Sequence, residues 1–335
     1  MKKALIVGLG SIGLRHSRLL KLIDKELVII ALRHNPPKKN HNESIDHVVS
    51  NIEDALSYQP DFAIIANPAS HHIEIAIQLA KKGIHLLIEK PISSSLDGVK
   101  ELLDIANNNN SKIMVGYNLR FLGSLSYLKK KIDESAIGKV LSIRAEVGQN
   151  LETWRDNQDY REGVSAQKKL GGGVLLELSH EIDYLKWIFG KIDWTIGHIA
   201  HQSNLEIDVE DIAHCFLGFS DTNSKNNFVA NLSLDFFRHD PIRQCSVVGE
   251  KGTLKWDGIN NMVEIFVKGS DKWELLFTEN VDKDFSYMQE LNHFLDCIDN
   301  NNETLISGLS AMNTLKIINS VKQSSDSKNL VQVEY

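Results

Sequence analysis

A chain of 335 residues is longer than the roughly 250–300 at which single hydrophobic cores stop growing, so two domains are expected. A composition of 42% hydrophobic and 24% charged residues, with no apolar stretch near the roughly 20 residues of a membrane span, is that of a folded soluble protein. The net charge of -7, from 37 basic and 44 acidic residues with no long run of either sign, excludes nucleic acid and anionic membranes as main partners, because both need a concentrated basic footprint.

Met1-Lys2-Lys3 precedes an apolar run that stops at Gly8, short of the roughly 7–15 residues a secretion signal needs. Cys215, Cys245 and Cys297 are odd in number and widely spaced, with no CxxC pattern. They read as reduced core thiols of a cytoplasmic protein, with neither a disulfide framework nor a metal site expected.

The first 120 residues alternate short apolar runs with amphipathic stretches. Strands are predicted over 3–7, 27–32, 61–66, 85–88 and 112–116, continuous apolar runs of the kind parallel strands show when both faces are covered. Helices are predicted over 12–22, 71–82 and 96–107, and Asn107 to Asn110 read as a helix end and turn. This βαβαβ order predicts a doubly wound parallel sheet.

Between the first strand and the first helix stands Gly8-Leu9-Gly10-Ser11-Ile12-Gly13. The three glycines allow a tight turn, room for a pyrophosphate against the backbone, and close helix–strand packing, while the helix start offers free N–H groups. The strand–loop–helix setting makes this a dinucleotide-binding Rossmann loop. The acidic residue that grips the adenosine ribose should end the second strand, but that place falls on Leu32, followed by Arg33 and His34. With no carboxylate and a guanidinium at hand, NADP is favoured over NAD.

Past residue 120 the pattern changes. A helix over 124–132 leads to a strand over 139–147, a polar segment over 148–169 and one long helix over about 173–189. Phe228, Ala230, Leu232, Leu234 and Phe236 then alternate with polar or smaller residues, the period of two of a strand with one buried face. Further strands are predicted over 192–200, 211–219, 244–248, 252–256, 262–267 and 273–277, and helices over 285–300 and 308–323. The expected fold class is therefore α/β: a Rossmann domain over 1–120, then an α+β domain over 121–335 with a large, mostly antiparallel sheet.

Three motifs narrow this further: the Gly8 loop; Glu89-Lys90-Pro91, with Asn67-Pro68-Ala69-Ser70-His71-His72 one βα unit earlier; and Gly171-Gly172-Gly173 running to Glu177, His180 and Asp183. Together they resemble the Gfo/Idh/MocA family of nicotinamide-dependent oxidoreductases, nearly end to end, and most closely members linked to bacterial surface-sugar biosynthesis. The resemblance implies hydride transfer to or from a carbinol carbon of a sugar or nucleotide sugar. Lys90 would polarise the reacting oxygen, His180 would exchange its proton, and Glu89 would contact the cofactor ribose.

Asn67, Pro68 and His71 would line the cofactor cleft with Asn118, and His72 would be exposed. On the long helix Glu177, His180 and Tyr184 would share one face, with Asp183 beside them. Leu176 stands where many members carry an aspartate, so Glu177 either orients His180, faces substrate, or does neither. Arg120, Arg155, Tyr160, Arg161, Asp183 and Tyr184 are candidates for sugar hydroxyls or phosphates. Family members associate through the second sheet, which implies a homodimer or homotetramer. Two further readings are a sugar enzyme of glycosidase type without net redox, and a non-catalytic dinucleotide- and sugar-sensing regulator; the presence of both Lys90 and His180 argues against the regulator.

Overall fold

The computed structural model describes residues 1–33, 43–154, 159–221 and 226–335; His34 and Arg155 lie outside them. The chain divides into two compact units, Met1–Asn118 with Asp284–Met312, and Leu119–Lys283 with Asn313–Tyr335.

The first unit is built on β1 (Lys3–Val7), β2 (Val28–Leu32), β3 (His47–Val49), β4 (Phe62–Ile65), β5 (His85–Ile88) and β6 (Ile113–Val115). All neighbours pair in parallel, in the order β3-β2-β1-β4-β5-β6. Its helices are α1 (Ser11–Ile23), α2 (Ile52–Ser57), α3 (His72–Ala80) and α4 (Val99–Asn108). Ala4 to Ile6 and Phe62 to Ile65 are almost wholly buried, which is why their sequences carry no alternation. β3 and α2 went unpredicted; a three-residue strand and a six-residue helix are too short to show a period.

Gly8 donates to Leu32 O (3.0 Å) and Ala66 to Val7 O (2.8 Å), so the loops after β1 and β4 leave the sheet together. They flank the point where strand order reverses, the place where open sheets of this kind bind ligands.

The stretch Asp284–Met312, which a division at residue 120 assigns to the second domain, clusters instead with the first. The reason is apolar burial. Its helix α8, numbered here with the helices α5 (Gly123–Asp133), α6 (Val174–Glu177) and α7 (His180–Phe189) that precede it, runs over Phe285–Asp299 and buries Leu291 and Phe294 completely. Phe294 meets Phe62 edge-on at 5.9 Å. Beyond α8, Thr304 donates to Ile113 O and Val115 to Ile306 O, which covers the edge of β6.

Among the described residues the second unit carries nine strands: β7 (Val140–Gly148), β8 (Ile192–Ala200), β9 (Ile212–Asp221), β10 (Asn226–Asp235), β11 (Ile242–Gly249), β12 (Gly252–Asp257), β13 (Met262–Val267), β14 (Glu274–Thr278) and β15 (Val331–Gln332). The order is β14-β13-β12-β11-β7-β10-β9-β8-β15, antiparallel except where β10 runs parallel to β7. Phe228, Ala230, Leu232, Leu234 and Phe236 are all buried, as their alternation predicts. The last helix is α9 (Gly308–Ser327).

The single long helix expected over 173–189 is two helices, α6 and α7. Leu178 stands at φ -99°, ψ 25°, outside the helical range, so the register of α6 is not carried into α7. Neither Leu178 nor Ser179 is a helix breaker by type; both are buried, and α7 is anchored separately through Asp183 and Glu181.

Candidate functional site

In the first unit the glycine loop is shaped by three different constraints. Gly8 has φ +91°, and a Cβ there would fall 2.8 Å from Asn67 N, so it permits both the backbone turn and the close approach of the neighbouring loop. At Gly13 a Cβ would lie 2.0 Å from Gly8 O, which is the close packing of helix on strand. Gly10 is different: a Cβ there would meet nothing within 4 Å, and its dihedrals (-73°, -173°) suit any residue. It therefore borders open space beside the start of α1. That helix has no side-chain cap and no acidic residue in its first turn, leaving its first N–H groups and positive dipole end for an anion. A pyrophosphate fits this cradle, with Gly10, Ser11, Ile12 and Gly13 around it.

Glu89-Lys90-Pro91 follows β5 on the same carboxyl edge, with a cis peptide between Lys90 and Pro91. Glu89, expected to reach the ribose, turns inward. It is 9% exposed, its Oε1 lies 2.6 Å from His16 Nε2 of α1, and its Oε2 accepts from the Lys90 N–H at 3.3 Å. Burial pushes the Glu89 carboxyl up, but the His16 hydrogen bond and the nearby His16 and Lys90 charges outweigh it and hold the group below the ordinary glutamate value.

His72, expected at the surface, is buried, while its neighbour His71 is exposed. The His72 ring spans two carbonyls, with Nε2 2.8 Å from Asn67 O and Nδ1 3.1 Å from Pro91 O. It thereby packs the loop after β4 against the turn that carries Lys90, the one N–H of a neutral ring serving one of the two carbonyls. Asn67 Oδ1 is buried without a hydrogen-bond partner among the described residues. Asn118 is buried and its Nδ2 donates to Ser286 Oγ at 2.8 Å. Arg33 follows β2, exposed, its N–H donating to Val49 O.

In the second unit His180 is the first residue of α7 and Glu177 the last of α6, so they do not share one continuous helical face. Glu177 accepts from Ser165 Oγ at 2.9 Å. Tyr184 is not a surface residue: it is fully buried, edge-on to Trp256 at 5.4 Å, and Trp256 in turn donates to Ser124 Oγ. Arg120 and Asp183, expected to meet substrate, are spent on each other. Arg120 Nε and Nη2 donate to Asp183 Oδ2 and Oδ1, both at 2.7 Å, with Thr314 donating to Oδ1 at 3.3 Å, all buried. Such a bidentate pair orients α7, as does the Arg243–Glu181 pair at 2.8 Å. Tyr160 accepts from the Glu206 N–H, and Arg161 binds Asp159 and Glu206, which makes both fasteners of the segment that follows β7.

Three polar groups escaped the sequence reading: His16, Glu290 and Lys186. Lys186 lies one turn after Asp183; burial drives it down to about 8, Asp183 pulls it up and Arg120 adds to the fall. All three cysteines are free and buried. Among the described residues no helix is long and apolar enough to cross a membrane.

A dinucleotide cradle on a six-stranded parallel sheet, joined to a unit with a large mixed sheet, defines a two-unit dinucleotide-dependent protein. Residues 2–117 match the model of an oxidoreductase family's NAD-binding Rossmann fold, and residues 129–333 match the C-terminal alpha/beta domain of the same family. The chain belongs to this family, Gfo/Idh/MocA.

Among curated relatives, a 2,7-anhydro-N-acetylneuraminate hydratase of Mediterraneibacter gnavus is 27% identical over 260 residues, covering 75% of this chain and 66% of that protein, just under two thirds of its length. Among solved structures, levoglucosan dehydrogenase in complex with NADH and levoglucosan superposes with a TM-score of 0.86 at 18% identity over 100% of both chains. The WlbA dehydrogenase of Bordetella pertussis, in complex with NADH and UDP-GlcNAcA, gives 0.82 at 18% identity over 100% of this chain and 99% of that one.

Proposed function

We propose that this protein is an NAD(P)-dependent dehydrogenase or reductase moving hydride to or from a CH–OH carbon of a sugar or nucleotide sugar. The observation that carries this is the placement of Lys90. It stands on the carboxyl edge of the parallel sheet that also holds the glycine cradle, in a turn held by Glu89 and packed against His72. The nicotinamide, when bound, accepts or supplies the hydride. Lys90 hydrogen-bonds the substrate oxygen and offsets its developing negative charge. His180 takes or returns the hydroxyl proton, and Glu177, held by Ser165, helps to set the polarity around it. Relatives that bind sugars or nucleotide sugars with NADH support the substrate class.

A finer reading is a preference for NADP, supported by an exposed Arg33 at the end of β2, where a ribose-binding carboxylate would otherwise stand. We read the protein further as cytoplasmic and as a homodimer or homotetramer. A second reading, sugar chemistry without net redox, is favoured by one observation: the hydratase relative spans 75% of this chain.

One experiment tests these readings together. A panel of sugars and nucleotide sugars is screened with NAD and with NADP by the absorbance of the reduced nicotinamide. Net appearance or loss of that absorbance with a sugar supports the dehydrogenase. Substrate conversion with no net change would replace it with the second reading, and a higher kcat/KM with NAD would remove the NADP preference.

A further inference from the structure

Three titratable side chains converge inside the first unit, from α1, from the turn after β5 and from α8. His16, Glu89 and Glu290 are all buried, and one ligand-type atom from each lies within 4.8 Å of the other two. His16 and Glu89 are already partners at 2.6 Å. A carboxylate only accepts, so the ring supplies its Nε2–H to Glu89. Glu290 is 0% exposed, and neither of its oxygens has a hydrogen-bond partner among the described residues.

An ionised carboxylate in that position would be stripped of water with nothing in return. The groups around it leave no charge free to compensate it. Glu89 is itself the anion, and His16 is already spent on it through Nε2–H at 2.6 Å. Tyr287, on Glu290's own helix, is raised by burial and stays neutral. Arg15 of α1 stacks over the Tyr287 ring at 4.7 Å and pairs with Asp284 at 3.2 Å, so its charge is used there. Burial, reinforced by the Glu89 charge, pushes the Glu290 carboxyl well above the ordinary range. A divalent cation would suit the same spacing and is the competing occupant.

We propose that Glu290 is carried as the neutral acid and is a positioning residue for the dinucleotide site. Its proton lets His16 and Glu89 remain paired, and that pair ties the phosphate-binding helix to the turn holding Lys90. The positioning half rests on the dinucleotide reading above; the protonation half does not.

The two halves are tested separately. A carboxyl whose folded pKa stands above its unfolded value keeps a proton that the unfolded chain has released. Its stabilisation is complete below the unfolded pKa and is lost as pH rises toward the folded one. Urea unfolding of wild type and Glu290→Gln, followed from about pH 5 to about pH 8, should show the wild-type unfolding constant rising about tenfold per pH unit relative to the variant. A ratio that stays flat with pH overturns the proposal. If Glu290→Gln does not fold, Glu290→Met gives the same comparison, and carbon-13 spectra of glutamate-labelled wild type must show a protonated carboxyl at neutral pH.

For the second half, NADP and NAD affinities are measured against pH. Wild-type binding should weaken roughly tenfold per unit once Glu290 ionises, and the glutamine variant should lack that limb. Coincident curves overturn the positioning role. Failure of wild type to bind either dinucleotide at any pH overturns the functional reading instead and leaves the unfolding result to stand. A stoichiometric, chelator-sensitive divalent metal in the purified protein would overturn the proposal outright.

Discussion

Lys90 and His180 carry separable halves of the proposed chemistry, and substitution at either should slow turnover more than it weakens cofactor binding. Lys90→Met or His180→Ala is expected to lower kcat by at least about 10²-fold, the usual scale for a positioned acid–base group, while dinucleotide affinity changes little. Steady-state kinetics with tight-binding controls decide this, and retained turnover in both variants would remove the assignment. His72 makes a different claim at the same scale. Burial lowers its pKa, and although the carbonyls of Asn67 and Pro91 pull it back, the ring stays neutral and gives its N–H to the shorter contact, Asn67 O. Its folded pKa lies below the unfolded value of about 6.5, so its contribution is present above that pH and is lost as pH falls below it. Removing that N–H with His72→Leu, which leaves Asn67 O without its donor, should cost about 1–3 kcal/mol near neutral pH. The wild-type advantage in thermal or urea unfolding should shrink in acid; a constant advantage would mean that the ring is not held as a neutral donor to Asn67 O.

At the scale of single elements, the glycine loop shows how much of a site a sequence can reveal. Gly13 answers to its own loop, Gly8 to the loop after β4 and Gly10 to open space, yet the spacing and strand–loop–helix setting made the motif readable, as the alternation made β10. The joints between elements were less readable. The break between α6 and α7 falls at buried Leu178 and Ser179, and α7 is held by ion pairs to Arg120 and Arg243, both distant in sequence. His16, Glu89 and Glu290 come from three distant elements, and nothing local marks His16 or Glu290 as polar groups of the core. Arg120 and Asp183, read as substrate ligands, pair with each other across 63 residues of sequence, which no local pattern marks.

The loop also yields a sharp contrast. Gly13→Ala would place a methyl 2.0 Å from Gly8 O and should destabilise the first unit by several times the roughly 0.5 kcal/mol typical of a neutral surface change. Gly10→Ala meets no protein atom, so unfolding should be unaffected while dinucleotide affinity falls by at least about tenfold, because the methyl takes space that the pyrophosphate needs. Calorimetry on both variants separates the roles. Unchanged affinity in Gly10→Ala would mean that the cradle is not where the phosphates lie.

For the whole molecule, the surface of the second sheet bears on assembly. Ile196 of β8 and Phe216 of β9 are cross-strand partners, 41% and 47% exposed, and Leu141 of β7 is 50% exposed. Single exposed apolar residues are ordinary, but a directly paired Ile and Phe on one sheet face form a patch that burial against a second copy would stabilise by about 25 cal/mol per Å² of apolar area. If that face joins subunits, Phe216→Glu places an unpaired charge in the contact, and light scattering should show the homodimer or homotetramer converted to monomer. Because Phe216 belongs to the second unit, dinucleotide affinity of the first should survive the change. A variant that keeps its oligomeric mass would move the interface to another surface. One that loses both mass and dinucleotide binding would mean that assembly, and not the first unit alone, supports the cofactor site.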